Sequence, residues 1–352
     1  MEAGRSSSNP IISTISCRHE KRQLRATFRT SLREVSELDV IAVDVSWSDG
    51  TLSTGEVSPT PPITGETAES IVAAVLGPLA HAIVGVPLVE LDEIFTRMAK
   101  ALLGNTTAKC ALDLAVHRAL ADRYGGLAAV LGVPHRSVRT DVTISLASPE
   151  AMAVASTERS SEGFDILKLK VGGEVDQDVA RILAVSRAVD PSLRLRLDAN
   201  QGWTAKQALN VLERVERANV TIDLVEQPVP ASDLHAMATV TRHSAVPVLA
   251  DESVHSPRDV LRVAELGAAD MVNVKLAKCG GLRAARDVVA VARVCGLGVL
   301  VGCMLEPASA VAAAATLAMG LDPLRGHDLD AGWWAIGDSE VACAPPLVTV
   351  VS

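Results

Sequence analysis

The sequence predicts a (β/α)-barrel preceded by a smaller α+β unit, on three observations. After residue 140 a short β run, a turn and an Ala-rich helix recur in order; eight such β runs occur; and polar or ionisable residues end them at near-constant intervals. The runs are TDVTISL, DILKLKV, LRLRLDAN, IDLVEQP, VPVLADES, DMVNVKLA, GVLVGCMLE and, more weakly, LRGHDLDA. Ser145, Lys170, Asp198, Glu226, Asp251, Lys275, Glu306 and Asp328 stand at their C-terminal ends. The first six of these residues lie 25, 28, 28, 25 and 24 positions apart. Neighbouring parallel strands need a crossover of a dozen or more residues, ordinarily a helix, so a βα unit fills that interval. A doubly wound open sheet is the alternative, but the Gly-rich phosphate turn expected after its first strand is missing. The Gly pairs at 172–173 and 280–281 read as tight βα turns.

Taken from the N-terminus, the polar stretch MEAGRSSSNP lacks the apolar segment of a signal peptide and reads as a disordered tail. Residues 38–58 alternate apolar and polar positions around Ser-Asp-Gly, a hairpin signal. Helical periodicity follows in AESIVAAVLGPLAHAIV and in AKCALDLAVHRALADRYG, the latter ended by a glycine pair. Late in the chain, VCGLGVLVGCML and PASAVAAAATLAMGL are split by Glu306, and neither run is long enough to span a bilayer. Together they read as a buried strand and a packed helix.

With 352 residues, 48 % of them apolar and very few aromatic, the chain supports a large aliphatic core. A net charge of −9 with dispersed basic residues argues against nucleic acid and anionic membrane as partners. The six cysteines form no CxxC pair and sit in apolar surroundings, as buried thiols in a reducing, cytoplasmic compartment would.

In a barrel, side chains at the C-terminal strand ends face the mouth. Asp198, Glu226 and Asp251 come from three consecutive strands, so three carboxylates converge. Left alone, at least one of them would take up a proton. A hard divalent cation resolves the conflict, and Mg²⁺ suits a few carboxylates with positions left open for substrate oxygens. The other reading is that each carboxylate caps the helix after it. Zinc is disfavoured because the eight histidines show no ligand spacing.

Lys168 and Lys170, two apart in DILKLKV, must point to one face of their strand. That pattern fits a solvated edge strand or a buried site that uses both charges. Lys170 precedes the carboxylate strands and Lys275 follows them, so lysines flank the metal on both sides. Repulsion from Lys168 and desolvation would lower the proton affinity of Lys170 and suit it as a general base. Beside a metal-bound carboxylate its task is to remove the adjacent α-proton, because the metal stabilises the enolate that forms. With a lysine on each face, the proton leaves one side and returns on the other, as in a racemase or epimerase.

The ordered set KLK, DAN, VEQP, ADES and NVK resembles the muconate lactonizing subgroup of the enolase superfamily, from about residue 28 to the end. The resemblance implies a modified, TIM-like (β/α)₇β barrel with an α+β capping domain. Its expected boundaries are a tail at 1–10, a cap at 11–135, the barrel at 136–330 and a segment at 331–352 that returns to the cap. It also implies Mg²⁺, one per subunit, on Asp198, Glu226 and Asp251, Lys170 and Lys275 as the acid/base pair, and Lys168 as an electrostatic aid. HDLDA resembles the DxD motif of dipeptide epimerases, narrowly those acting on L-Ala-D/L-Glu, in which Asp328 and Asp330 would hold the α-ammonium group of a dipeptide. The plainer reading of that stretch is an acidic loop at the barrel rim.

Met304 is expected to line the pocket, or else to belong to the core, and the role of Glu306 stays open. Ser145 is a further substrate-side candidate. The stretches FRTSLRE and TPPITGE resemble the loops that close over the substrate, which implies Arg33 as the receptor for an acidic second residue. Alternatively Arg33 pairs with Glu34 or Glu37. The segment HEKRQLRAT is more basic than the resemblance leads one to expect of the cap's first strand. The same superfamily leaves N-acylamino acid racemase and o-succinylbenzoate synthase or cycloisomerase chemistry as alternatives, neither of which needs an ammonium site. A homo-oligomer is expected.

Overall fold

The structure is a computed structural model that describes residues 9–29, 34–322, 325–335 and 340–351. Its N-terminal unit opens with a three-stranded antiparallel sheet, β1 (Ile12–Arg29), β2 (Glu34–Trp47) and β3 (Leu52–Val57), in that order. The basic segment is therefore part of one long strand. Its charges are tolerated because acids on β2 and β3 face them: Arg18 Nε donates to Asp44 at 2.9 Å, His19 meets Asp39 at 2.9 Å, and Arg22 pairs with Glu56.

Helix 68–83 carries a widened turn at Val75–Leu79, because Pro78 has no N–H to give the helical ladder and its ring crowds the preceding turn. The buried helix Thr106–Tyr124 lies so close on β3 that a Cβ at Gly55 would stand 2.0 Å from the Ala111 carbonyl. Two carboxylates fix this helix. Glu66 accepts from the N–H groups of Thr107 (2.7 Å) and Ala108 (3.1 Å). Asp113 on the helix in turn accepts from Leu282 N (2.7 Å) and Arg283 N (3.2 Å), at the start of a barrel helix. Charge-assisted bonds to orphan helix N–H groups thus join cap and barrel.

The second unit contains β4 (Val138–Arg139), β5 (Val142–Ile144), β6 (Ile166–Lys170), β7 (Arg194–Asp198), β8 (Ile222–Glu226), β9 (Val248–Ala250), β10 (Met271–Lys275) and β11 (Gly298–Gly302). β5 to β11 form one parallel sheet in chain order. The described residues of the weakly predicted eighth run form no long strand; instead His327 bridges to Thr140 and Asp328 to Gly302. One segment thereby touches both edges of the sheet and closes the ring. Helices lie between successive strands, from Pro149–Ser161 to Ala308–Ala318, giving the expected (β/α)₇β order. Leu224, Leu249, Met271 and Leu300 make a small apolar floor inside the barrel, beneath the charged mouth. β12 (Val341–Ala344) and β13 (Leu347–Val350) pair with each other and β13 with β4, beside the Ala-rich helix. Among the described residues no helix is long and apolar enough to cross a membrane, and all six cysteines are unpaired.

Candidate active site

The alternation of β6 turns Lys168 and Lys170 inward, and both are buried, so the strand is not a solvated edge. Asp198, Glu226 and Lys275 end β7, β8 and β10, and Asp251 directly follows β9. All four are buried. None of the carboxylates caps a helix: Thr204, Asp233 and Ser256 do so for the three helices that follow.

Each carboxylate is held at one oxygen and offers the other. Asp198 Oδ1 accepts from Asn200 N at 3.0 Å, Glu226 Oε1 from Asn273 Nδ2 at 2.7 Å, and Asp251 Oδ1 lies 2.5 Å from Lys278 Nζ. The second oxygens meet ammonium groups. Asp198 Oδ2 accepts from Lys170 at 2.5 Å, Asp251 Oδ2 from Lys275 at 2.7 Å, and Glu226 Oε2 lies 3.6 Å from Lys168. Among the described residues no three His, Cys, Asp or Glu side chains enclose a metal as they stand, and lysine ammonium groups lie 2.5 to 3.6 Å from these oxygens.

The donor set nevertheless suits a divalent cation: three hard oxygens from adjacent strands, each carboxylate already fixed at its other end. Burial and the neighbouring Asp198 push the Glu226 carboxyl up to about 8, against the pull of Lys168 and Lys275. A site that must protonate one of its acids is short of positive charge.

Burial would depress Lys168 and Lys275, yet the surrounding acids outweigh it and hold both ammonium groups well above the ordinary lysine value: for Lys168 chiefly Asp328 and Glu226, for Lys275 chiefly Asp251 and Glu226. One carboxylate oxygen, Asp198 Oδ2, approaches both ammonium groups of β6, at 2.5 Å from Lys170 and 3.6 Å from Lys168. Burial raises Asp251, but Lys275 and Lys278 overcome it and hold the group well below the usual carboxylate range.

Counted round the closed ring, Lys170 on the second strand and Lys275 on the sixth are half a turn apart, with the three carboxylate strands between them. The pocket at this mouth is also lined by Thr143, Asp328, Asp330 and Met304, and by Phe28 and Ile63 from the cap. Asp328 Oδ2 accepts from Lys168 at 2.5 Å, and Asp330 Oδ2 from Thr143 N at 2.7 Å. Ser145 stands at the junction with the cap, where its hydroxyl accepts from Arg29 N at 3.2 Å. Arg33 lies outside the described residues.

Sequence reasoning passed over Asn200, Gln227, Asn273 and Lys278, which hold the charged groups in place. Gln227 Oε1 accepts from Asp251 N (2.9 Å) and Ser253 N (3.1 Å), tying the β8 end to the β9 end. Asn200 and Gln227 both have positive φ, 42° and 35°, an unusual conformation two residues after the end of β7 and directly after the end of β8. Asn200, Gln227 and Asn273 carry a signal in the motifs DAN, VEQP and NVK, as the polar residues within two positions of the ionisable ones, whereas Lys278 stands in none of these motifs. Gly302 is equally placed by need: a Cβ there would meet Asn273 Oδ1 at 2.5 Å and Lys275 Cε at 2.9 Å. Gly302→Ala is expected to leave the protein folded and to lower kcat about a hundredfold by displacing Lys275, which steady-state kinetics with a melting curve would check.

Two family models cover most of the chain: the mandelate racemase/muconate lactonizing enzyme N-terminal domain matches residues 12–131 and the enolase C-terminal domain-like model residues 150–348. The chain belongs to this family, within the enolase superfamily, and is an isomerase. It is 37 % identical over 321 residues to the L-Ala-D/L-Glu epimerase of Clostridium acetobutylicum, covering 91 % of this chain and 90 % of that one. Among solved structures it resembles a substrate-liganded L-Ala-D/L-Glu epimerase from Bacillus subtilis (TM-score 0.93, 33 % identity, 97 % of this chain and 96 % of that one). It likewise resembles a dipeptide epimerase from Enterococcus faecalis complexed with Mg and L-Leu-L-Tyr (TM-score 0.91, 32 % identity, 97 % and 98 %).

Proposed function

We propose that this isomerase epimerises dipeptides at the second residue, with Ala-Glu as the preferred pair, by moving one proton between the two faces of the α-carbon. The observation that carries the reading is the placement of Lys170 and Lys275 half a turn apart about three carboxylates, with Asp328 and Asp330 on the segment that closes the ring. Asp198, Glu226 and Asp251 would hold one Mg²⁺. A bound Mg²⁺ supplies the positive charge that stabilises the substrate carboxylate as negative charge develops on it.

In this reading one lysine, in its neutral form, takes the α-proton from its side, while the other, as an ammonium, returns a proton from the opposite side. Lys168 adds fixed positive charge at the developing enolate and is kept protonated by the acids around it. Asp328 and Asp330 receive the substrate's free α-ammonium group, and Phe28 and Ile63 of the cap cover the pocket and exclude water. We also place the enzyme in the cytoplasm as a homo-oligomer; light scattering tests the latter.

The ammonium group is the discriminating feature. Removing one side of a buried charge pair costs on the order of 2 to 5 kcal/mol, so N-acetyl-Ala-Glu should react at least about thirtyfold more slowly than Ala-Glu. Incubation with Mg²⁺ in D₂O, followed by mass gain of one unit, measures this. Equal exchange of free and acetylated dipeptides would instead favour an N-acylamino acid racemase.

A further inference from the structure

The carboxylate of Asp330 has a partner that no charge pattern announces. Trp334, at the end of the short helix Ala331–Trp334, donates its indole N–H to Asp330 Oδ2 at 3.0 Å. The same oxygen accepts from Thr143 N, so two donors fix Oδ2. The indole is itself held on two sides. It meets Phe28 edge-to-face, with ring centroids 5.2 Å apart, and Trp333 likewise at 5.0 Å. Trp333 is flanked by the guanidinium groups of Arg159 (4.2 Å) and Arg25 (5.5 Å), from a barrel helix and from β1. Such an aromatic and cation–π cluster leaves the indole little freedom, and a donor locked by packing orients its acceptor better than a mobile one.

We propose that Trp334 is the positioning residue for ammonium recognition: its N–H pins one oxygen of Asp330, together with Thr143, and thereby presents the other to the substrate's α-ammonium group. Because the same ring abuts Phe28, which lines the pocket from the end of β1, the contact also couples the ammonium site to the seating of the cap. The inference rests on the ammonium reading above.

The test uses the Mg²⁺-loaded full chain and compares Trp334→Phe, which keeps a ring against Phe28 but loses the N–H, with the wild type. With L-Ala-L-Glu, KM is expected to rise about tenfold or more, the loss of a hydrogen bond to a charged group, while kcat changes less. The preference for free over N-acetylated dipeptide is expected to fall by a similar factor. A wild type that treats the two substrates alike refutes the ammonium reading and this inference with it. A wild type that discriminates, beside a folded variant that discriminates equally well, overturns the role of Trp334 alone. A second measurement needs no variant: in protein carrying ¹⁵N-tryptophan, one of the four indole signals should shift on saturation with L-Ala-L-Glu, and no shift overturns the proposal.

Discussion

Glu226→Gln is expected to abolish epimerisation, by about a thousandfold or more, while the fold survives. Glutamine has the shape of glutamate and its carbonyl can still accept from Asn273 Nδ2, so the buried hydrogen bond at 2.7 Å is kept and only the charge is removed. The loss falls on cation binding. Two further readouts separate this from a general defect. With the Glu226 carboxyl raised to about 8 in the metal-free protein, Mg²⁺ uptake at neutral pH should release a proton from the wild type and none from the variant at this position, as calorimetry in buffers of different ionisation enthalpy would show. A carboxyl whose folded pKa lies above its ordinary value of 4.5 stabilises the folded state at low pH, and that contribution fades as pH rises towards about 8. Metal-free wild type should therefore lose more stability than the variant between pH 5 and 8. A metal-free sample that turns over at the full rate would sink the assignment of the three carboxylates.

Lys170→Ala and Lys275→Ala are each expected to stop epimerisation, again by about a thousandfold, within the range that a positioned acid or base contributes. The informative residue of activity is one-sided. In D₂O each variant should still exchange the α-proton of the epimer that its remaining lysine can reach, and the two variants should prefer opposite epimers. Mass spectrometry on L-Ala-L-Glu and L-Ala-D-Glu, supplied separately, reads this directly. Normal epimerisation by either variant, or loss of exchange with the same epimer in both, would contradict two bases on opposite faces.

The charged constellation was legible in the chain because a parallel barrel converts order along the sequence into order around a ring. Residues at successive strand ends need no long-range information to be brought together; a regular interval and a change of residue type at each end suffice. Thus Lys170, Asp198, Glu226, Asp251 and Lys275 could be set round one mouth from spacing, and DxD at its margin from resemblance. The first strand of the cap was harder to read, since its charges make sense only against Asp44, Asp39 and Glu56 on β2 and β3.

The tertiary structure decided everything that depends on a particular atom finding a distant partner. That Asp328 rests on Lys168, 160 positions away, and Asp330 on Thr143, 187 positions away, follows from closure of the ring by residues 327–328. Nor does any periodicity reveal which oxygen of a carboxylate is held and which is offered, or that an indole N–H serves Asp330. Strand order is a property of local pattern repeated. Hydrogen-bond direction depends on angles and distances of a few tenths of an ångström, and these exist only once helices and strands have packed.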